Sequence, residues 1–215
     1  MAKRLVCFTG LDGSGKTLHI CTVMADLTKR GVSFGYVWGR WFPGLSDPFH
    51  FVVRKTLGYT LREYGFCKPL RMVYGFLTLI DYSFAIVFRI RIPALRNRVL
   101  LVDRYIYDML ADLDFRRFKI SPTLRRLLIM MNPRPDITFF LDVSPQIACS
   151  RKKDLSLVDA EAYRKIYLRI ASVYGFRRID NVDFNDAHNR ILTDILELID
   201  HKQPKLKSHE VLRAS

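Results

Sequence analysis

Eight residues near the start of the chain combine the residue types that hold a nucleoside triphosphate. The segment Gly10-Leu11-Asp12-Gly13-Ser14-Gly15-Lys16-Thr17 matches the phosphate-loop pattern G-x-x-x-x-G-K-[ST] at every fixed position. Glycines let the backbone turn tightly and bring its N–H groups to phosphate oxygens. Lys16 would reach the β- and γ-phosphates, and the Thr17 hydroxyl would bind Mg²⁺. The pattern predicts a triphosphate site formed by Gly10, Gly13, Ser14, Gly15, Lys16 and Thr17.

The segments on either side of this loop have the context that the motif requires. Leu5 to Thr9 is a short apolar run typical of a buried strand. After Thr17, apolar residues recur at helical spacing until Gly31, which follows two basic residues as a helix stop. The partial positive charge at the start of that helix would add to the phosphate cradle.

A later strand, which ends in an aspartate, is the candidate partner of the phosphate loop. Val99 to Val102 is apolar and ends in Asp103. In phosphate-loop proteins such an acid commonly lies beside the loop and holds the Mg²⁺ shell. We therefore expect Thr17 and Asp103 to form the metal site.

Composition indicates a folded protein. The 215 residues are 49% hydrophobic and 13% aromatic, which favours a single globular domain over residues 1–201 with a basic tail at 202–215. The four cysteines lie far apart without metal-ligand spacing, which favours reduced thiols and a cytoplasmic location. The chain opens directly on its first strand, so we expect no secretory signal.

The chain is strongly basic, with a formal net charge of +14 and a pI of about 9.9. This balance favours anionic partners such as phosphates, nucleic acid or an acidic membrane surface. We favour a simpler interpretation, in which part of the charge lines a phosphate-rich site and the rest is solvated.

The order of the elements predicts the fold class. Strands are expected at Leu5–Thr9, Val32–Trp38, Val99–Asp103, Ile137–Val143 and Asn181–Phe184, with helices between them. Continuous apolar strands that alternate with helices indicate a parallel sheet covered on both sides. The sequence therefore predicts a three-layer α/β/α phosphate-loop (P-loop NTPase) fold.

The segment from Met72 to Phe88 is nearly all apolar and raises the question of a membrane span. It falls short of the roughly 20 residues that cross a bilayer, and Asp81 lies in its middle. A charge at that depth costs a few kcal/mol. We expect a helix from Pro69 to Ile92, buried in the core, with Asp81 facing a polar cleft.

Five stretches carry a longer pattern: FTGLDGSGKT, VLLVDRY, PDITFFLDVSPQIACSRKK, AEAYRKIYLRIASVYG and RRIDNVDFNDAHNRI. In this order, from Leu5 to about Ile199, they resemble the thymidylate kinase family of nucleoside monophosphate kinases. The resemblance implies an enzyme that uses ATP and Mg²⁺ to phosphorylate a small-molecule phosphorylated acceptor. It also suggests a homodimer.

The resemblance implies roles for individual residues. Lys16 and Thr17 hold the ATP phosphates, and Asp12 contacts the sugar hydroxyl of the acceptor. Asp103 supports the metal, and Arg104 clamps the acceptor phosphate. A short lid near residues 151–158 brings a cation over the transferring phosphoryl group. The implied catalytic set is Lys16, Asp103, Arg104, Arg151, Lys152 and Lys153.

The chain departs from the family in two phosphate-binding segments. Gly13 stands where some members carry an arginine, so the lid would have to supply that charge. The family's arginine–proline segment after the second strand is one residue longer here, Arg40-Trp41-Phe42-Pro43. Arg40 remains a candidate ligand of the acceptor phosphate.

The part of the sequence that would bind thymine also departs from the family. The arginine that reads thymine falls on Tyr82, and the stacking aromatic residue falls on Thr78. Phe76 and Tyr82, with the neighbouring Asp81, could form a different acceptor pocket. Plain helix packing is the alternative for Phe76 and Tyr82.

Three functions follow from these patterns. The leading hypothesis is a kinase of a nucleoside monophosphate, with dTMP as the default acceptor. The second is a kinase of another phosphorylated acceptor, such as a lipid-linked phosphate at a membrane face. The third is a non-catalytic relative that binds nucleotide or nucleic acid. The intact Lys16, Thr17, Asp103 and Arg104 favour an enzyme.

Overall fold

One parallel sheet organises the chain. The structure, a computed structural model, describes residues 4–39, 44–58, 68–117, 121–152 and 155–200. Its strands are β1 (Arg4–Thr9), β2 (Phe34–Trp38), β3 (Val99–Asp103), β4 (Ile137–Asp142) and β5 (Arg177–Asp180). They lie in the order β2-β3-β1-β4-β5, and every neighbouring pair is parallel.

The register aligns the carboxyl ends of the strands where the phosphate loop lies. Phe8 of β1 and Trp38 of β2 both pair with Asp103, the last residue of β3. Because parallel strands end at one edge, the segments that follow β1, β2 and β3 meet there.

Helices cover both faces of the sheet. Within the described ranges they are α1 (Lys16–Lys29), α2 (Ser46–Leu57), α3 (Lys68–Ile86), α4 (Ile92–Arg96), α5 (Ile106–Phe115), α6 (Pro122–Met131), α7 (Pro145–Arg151), α8 (Leu157–Tyr174) and α9 (Phe184–Asp200). A π-helical segment, Val87–Arg91, joins α3 to α4.

Alternate residues of β1 point into two separate cores. Val6 and Phe8 pack with apolar residues of α1 and α9, whereas Leu5 and Cys7 pack with residues of α5 and α8. A strand buried on both faces needs apolar residues at every position, which explains the continuous apolar runs. The predicted three-layer α/β/α arrangement is confirmed.

Several element boundaries differ from the sequence-based expectation. The predicted strand Asn181–Phe184 is wrong: β5 occupies Arg177–Asp180, and Phe184 begins α9. Only Ile179 of this edge strand is buried, so the strand lacks the continuous apolar run that identifies the other strands. The helix α5 was not predicted, and the helix expected to reach Ile92 changes to π-helical geometry at Val87. The helix α2 ends before Gly58, which has a left-handed φ of 70°.

The apolar segment Met72–Phe88 lies in α3 and the start of the π-helical segment. The expectation that this helix is buried in the core is wrong for one side of it: Tyr74 and Tyr82 are buried, whereas Phe76 and Phe84 are more than 60% exposed. In the described part of the chain, no helix is long and apolar enough to cross a membrane.

Candidate active site

The phosphate loop connects the end of β1 to the start of α1. Lys16 is 6% exposed, and its Nζ donates to the carbonyl oxygens of Gly10 and Leu11 at 2.8 and 2.6 Å. Burial, together with the nearby charge of Arg104, lowers the pKa of Lys16 to about 8. The loop thus holds a buried amine beside a helix N-terminus, an arrangement suited to phosphate.

Thr17 and Asp103 meet across the two strands, as the sequence predicts. The Thr17 hydroxyl donates to Asp103 Oδ2 at 2.8 Å. Asp103 Oδ1 is buried and has no hydrogen-bond partner among the described residues. Hydroxyl and carboxylate oxygens suit Mg²⁺, which takes its other ligands from phosphates and water. The residues present therefore fit this metal.

Arg104 has an unusual backbone conformation. Its φ of 72° lies in the left-handed region, which side chains other than glycine rarely adopt. Its guanidinium pairs with Asp12 and lies 3.5 Å from Asp108. Burial alone would lower the pKa of Arg104, but the carboxylates of Asp108 and Asp12 raise it. A charged guanidinium therefore lies beside the phosphate loop.

Gly39 makes this conformation of Arg104 sterically possible. Its N–H donates to the carbonyl oxygen of Asp103 at 2.8 Å. A Cβ atom at position 39 would lie 2.0 Å from the carbonyl oxygen of Arg104. The position after β2 therefore accepts no side chain unless the backbone moves.

A cavity of about 560 Å³ opens beside the phosphate loop. Its volume is typical of small-molecule sites. Tyrosines and charged side chains dominate its lining: Tyr74, Tyr82, Tyr105, Tyr163, Tyr167, Asp12, Asp108, Asp112, Asp159, Arg104, Arg116 and Lys152.

Two tyrosine–aspartate hydrogen bonds connect α5 to α8. The hydroxyl of Tyr167 donates to Asp108 Oδ1 at 2.9 Å, and that of Tyr163 donates to Asp112 Oδ1 at 2.6 Å. We call these four residues the aspartate–tyrosine ladder. Burial raises the pKa of Asp108, although Arg104 opposes the shift. Sequence analysis missed the ladder. The two aspartates are four residues apart, as are the two tyrosines, so each couple shares a helix face, but this spacing does not show that the two faces meet.

The cations at the end of α7 reach the phosphate loop. Arg151 Nη1 donates to the carbonyl oxygen of Gly13 at 3.4 Å, and Lys152 Nζ lies 3.8 Å from Asp12 Oδ2. Gly13 has a φ of 85°, and a Cβ there would lie 2.5 Å from the carbonyl oxygen of Ala148. Lys153 lies outside the described residues.

The residues of α3 that were candidates for the acceptor pocket separate into two faces. Tyr82 lines the cavity, as do Thr78 and Tyr74, four and eight residues before it. The Tyr82 hydroxyl is buried and lacks a hydrogen-bond partner within the described ranges. Phe76 is on another face of the helix, 62% exposed, and does not line the cavity. Arg40 lies outside the described residues.

Asp81 contacts the start of α2 instead of the cavity. Its carboxylate accepts hydrogen bonds from the Leu45 N–H, the Ser46 N–H and the Ser46 hydroxyl at 2.7, 2.9 and 2.7 Å. Burial would raise the pKa of Asp81, but these hydrogen bonds lower it. Asp81 thus caps α2 from a neighbouring helix, in place of the predicted contact with the acceptor.

Asn181 is a further residue of the site that sequence analysis missed. Its Nδ2 donates to the carbonyl oxygen of Ser14 at 2.7 Å, and its Oδ1 lies 2.9 Å from His19 Nε2. It connects the end of β5 to the phosphate loop and to α1. A side chain 167 positions from its partner left no local signal in the sequence.

These features define a class of protein. The phosphate loop follows β1, the central strand of a parallel sheet, and Asp103 ends the adjacent strand β3. This is an α/β fold of the P-loop kinase type.

The chain is similar to thymidylate kinases over most of its length. The thymidylate kinase of Leptospira interrogans is 27% identical over 202 residues, which cover 90% of this chain and 92% of the relative. That of Chlorobium phaeobacteroides is 27% identical, with 95% and 98% covered. A probable thymidylate kinase of Sulfurisphaera tokodaii is 26% identical, with 82% and 87% covered. No protein-family model matches the chain. The similarities confirm the predicted resemblance to thymidylate kinases.

Proposed function

We propose that the protein is an ATP- and Mg²⁺-dependent nucleoside monophosphate kinase, with dTMP as the default acceptor. The observation that carries the proposal is the position of Arg104, whose charged guanidinium faces the cavity next to the phosphate loop. A phosphate bound by Arg104 would lie close to the γ-phosphoryl group of a triphosphate in the loop. The relatives named thymidylate kinase support the same assignment.

Catalysis would depend on positioning and charge neutralisation, because phosphoryl transfer asks little covalent chemistry of the protein. The loop N–H groups and Lys16 would bind the ATP phosphates. Thr17 and Asp103 would hold Mg²⁺, which supplies charge neutralisation at the phosphates. Arg104 would orient the acceptor phosphate, and Asp12 would contact the acceptor sugar.

The lid is proposed to lie near residues 151–158, within one kinase domain over residues 1–201. The contacts of Arg151 with Gly13 and of Lys152 with Asp12 support it, because they bring two cations to the loop. These side chains would neutralise charge on the transferring group, with Lys153 and Arg40 as further candidate ligands.

The test is ADP release from Mg·ATP with a panel of nucleoside monophosphates, with Lys16→Ala as the blank. Turnover of dTMP above the blank would support a thymidylate kinase whose thymine contacts differ at Thr78 and Tyr82. Turnover of a different monophosphate would retain the kinase and replace the acceptor. If ATP binds but no monophosphate is turned over, the proposed kinase activity is wrong.

We also propose a cytoplasmic homodimer that associates through α3 and the π-helical segment after it. Met72, Phe76 and Phe84 of α3 and Phe88 of the π-helical segment are each more than 60% exposed, and neighbours in this set are four or eight residues apart. Such a row can pack against its copy in a second subunit. Light scattering of the purified protein should give twice the chain mass, and Phe84→Glu should give the monomer mass. A monomeric wild type would contradict this part of the proposal.

A further inference from the structure

One cation of the cavity has no part in the phosphate chemistry proposed above. Arg104 and Lys152 both contact Asp12, so they belong to the phosphate-loop end. Arg116 follows α5, and its Nε donates to Asp112 at 2.9 Å. It also lines the cavity.

The two arginines are held on the same cavity wall by acids of one helix. Asp108 and Asp112 are four residues apart in α5, a rise of about 6 Å. Arg104 lies 3.5 Å from Asp108, and Arg116 lies 2.9 Å from Asp112. The two carboxylates that hold the guanidinium groups therefore lie about one helical turn apart. A ligand with its phosphate at Arg104 would extend its remaining groups toward Arg116.

Arg116 is held in place by its neighbours. Asp112 accepts a second hydrogen bond from the Tyr163 hydroxyl, and the Tyr163 ring stacks on Phe115 with centroids 3.9 Å apart. Counting the described residues alone, the Nε bond is the one side-chain hydrogen bond of Arg116. Its terminal N–H groups can thus donate to a ligand from a fixed position.

The charges at this position favour an uncharged ligand group. Asp112 already balances the charge of Arg116. A second phosphate would therefore meet a cation whose charge is already balanced, whereas Lys16 adds a further cation at the phosphate-loop end. A neutral group with a carbonyl oxygen for Arg116 and an N–H for a carboxylate would satisfy both partners. Planar base edges carry such neighbouring acceptors and donors.

We propose that Arg116 and Asp112 form the specificity pair that recognises an uncharged, planar head group on the phosphorylated acceptor, as on the edge of a nucleobase. This inference rests on the proposed function for the phosphate end of the cavity and adds the contact at the other end.

Equilibrium binding by titration calorimetry tests the pair without requiring turnover. The ligands are five deoxynucleoside monophosphates (dTMP, dUMP, dGMP, dCMP and dAMP) and 2-deoxyribose 5-phosphate, which lacks a base. Wild type should prefer one base over the base-free ligand. Arg116→Gln should bind that nucleotide about tenfold or more weakly and the base-free ligand unchanged. Arg169→Gln is the matched control, because it removes an exposed arginine–aspartate pair between α8 and the end of α5 outside the cavity.

The outcomes separate this inference from the proposed activity. If Arg116→Gln is folded and keeps the full base preference, the specificity pair is wrong and the kinase proposal stands. If the preference is lost but wild type releases no ADP with any monophosphate, the pair stands and the kinase proposal is wrong. If wild type binds no monophosphate, both are wrong. Thermal denaturation monitors folding, and Arg116→Lys, which keeps the charge without the planar fork, replaces Arg116→Gln if that variant does not fold.

Discussion

Gly39 and Arg104 are in backbone contact at the centre of the site. The carbonyl oxygen of Arg104 occupies the space that a side chain at position 39 would need, and Arg104 itself has a φ of 72°. The end of β2 therefore fixes the backbone from which the guanidinium of Arg104 projects. Gly39, which has no side chain, thereby controls the geometry of Arg104, whose guanidinium faces the cavity.

Gly39→Ala should damage acceptor binding through this contact. A Cβ 2.0 Å from the Arg104 oxygen forces the backbone to move, and we expect KM for the acceptor to rise about tenfold or more with little change in KM for ATP. Steady-state kinetics measure both constants. Gly58→Ala is the control, because no heavy atom lies within 4 Å of the Cβ position of Gly58, so this variant adds a methyl group without the contact. An unchanged acceptor KM in Gly39→Ala would contradict the prediction.

Thr17→Ala should weaken the response to Mg²⁺. The variant removes the hydroxyl that lies 2.8 Å from Asp103, so a candidate metal ligand is lost. We expect the Mg²⁺ concentration for half-maximal ADP release to rise about tenfold or more. Thr17→Ser keeps the hydroxyl and should restore the wild-type value. The metal assignment fails if the alanine and serine variants respond alike.

The two rungs of the aspartate–tyrosine ladder should differ in their contribution to stability. Tyr167→Phe leaves the buried Asp108 carboxylate with one donor fewer, which should lower the free energy of unfolding by about 1–3 kcal/mol. Tyr163→Phe affects Asp112, whose side chain is 31% exposed and can bind water instead, so the loss should be smaller. Urea denaturation of both variants measures the difference, and equal losses would show that burial of Asp108 is unimportant.

Asp81→Asn should destabilise the protein in a pH-dependent way. The folded-state pKa of Asp81 is lower than its ordinary value of 3.8. Its stabilising contribution is therefore fully present above pH 3.8 and is lost as the pH falls through the folded-state pKa. We expect wild type to exceed Asp81→Asn by about 1–3 kcal/mol at pH 7, with a smaller difference at pH 3. Denaturant titrations of both proteins at pH 7 and pH 3 measure these differences in the free energy of unfolding. A difference independent of pH would mean that the carboxylate charge does not cap α2.

Local patterns predicted the parts of the site that depend on neighbouring residues in sequence. The phosphate loop between β1 and α1 and the strand that ends at Asp103 follow from apolar runs and fixed motif positions, and the structure has them where expected. The cap of α2 by Asp81 and the bond between Tyr167 and Asp108 join positions 35 and 59 residues apart. Such pairs depend on how helices pack, which no local pattern encodes.

The conformation of Gly13 limits which loops this fold can exchange with its relatives. Some thymidylate kinases have an arginine at this point of the loop, but here the φ of 85° and the nearby Ala148 carbonyl exclude a side chain. A single substitution could not restore that arginine, because α7 would also have to withdraw. Arg151 of α7 contacts the loop at Gly13 instead. Position 13 and the end of α7 are therefore sterically coupled, and a chimera with a relative that has the loop arginine would have to exchange both segments together.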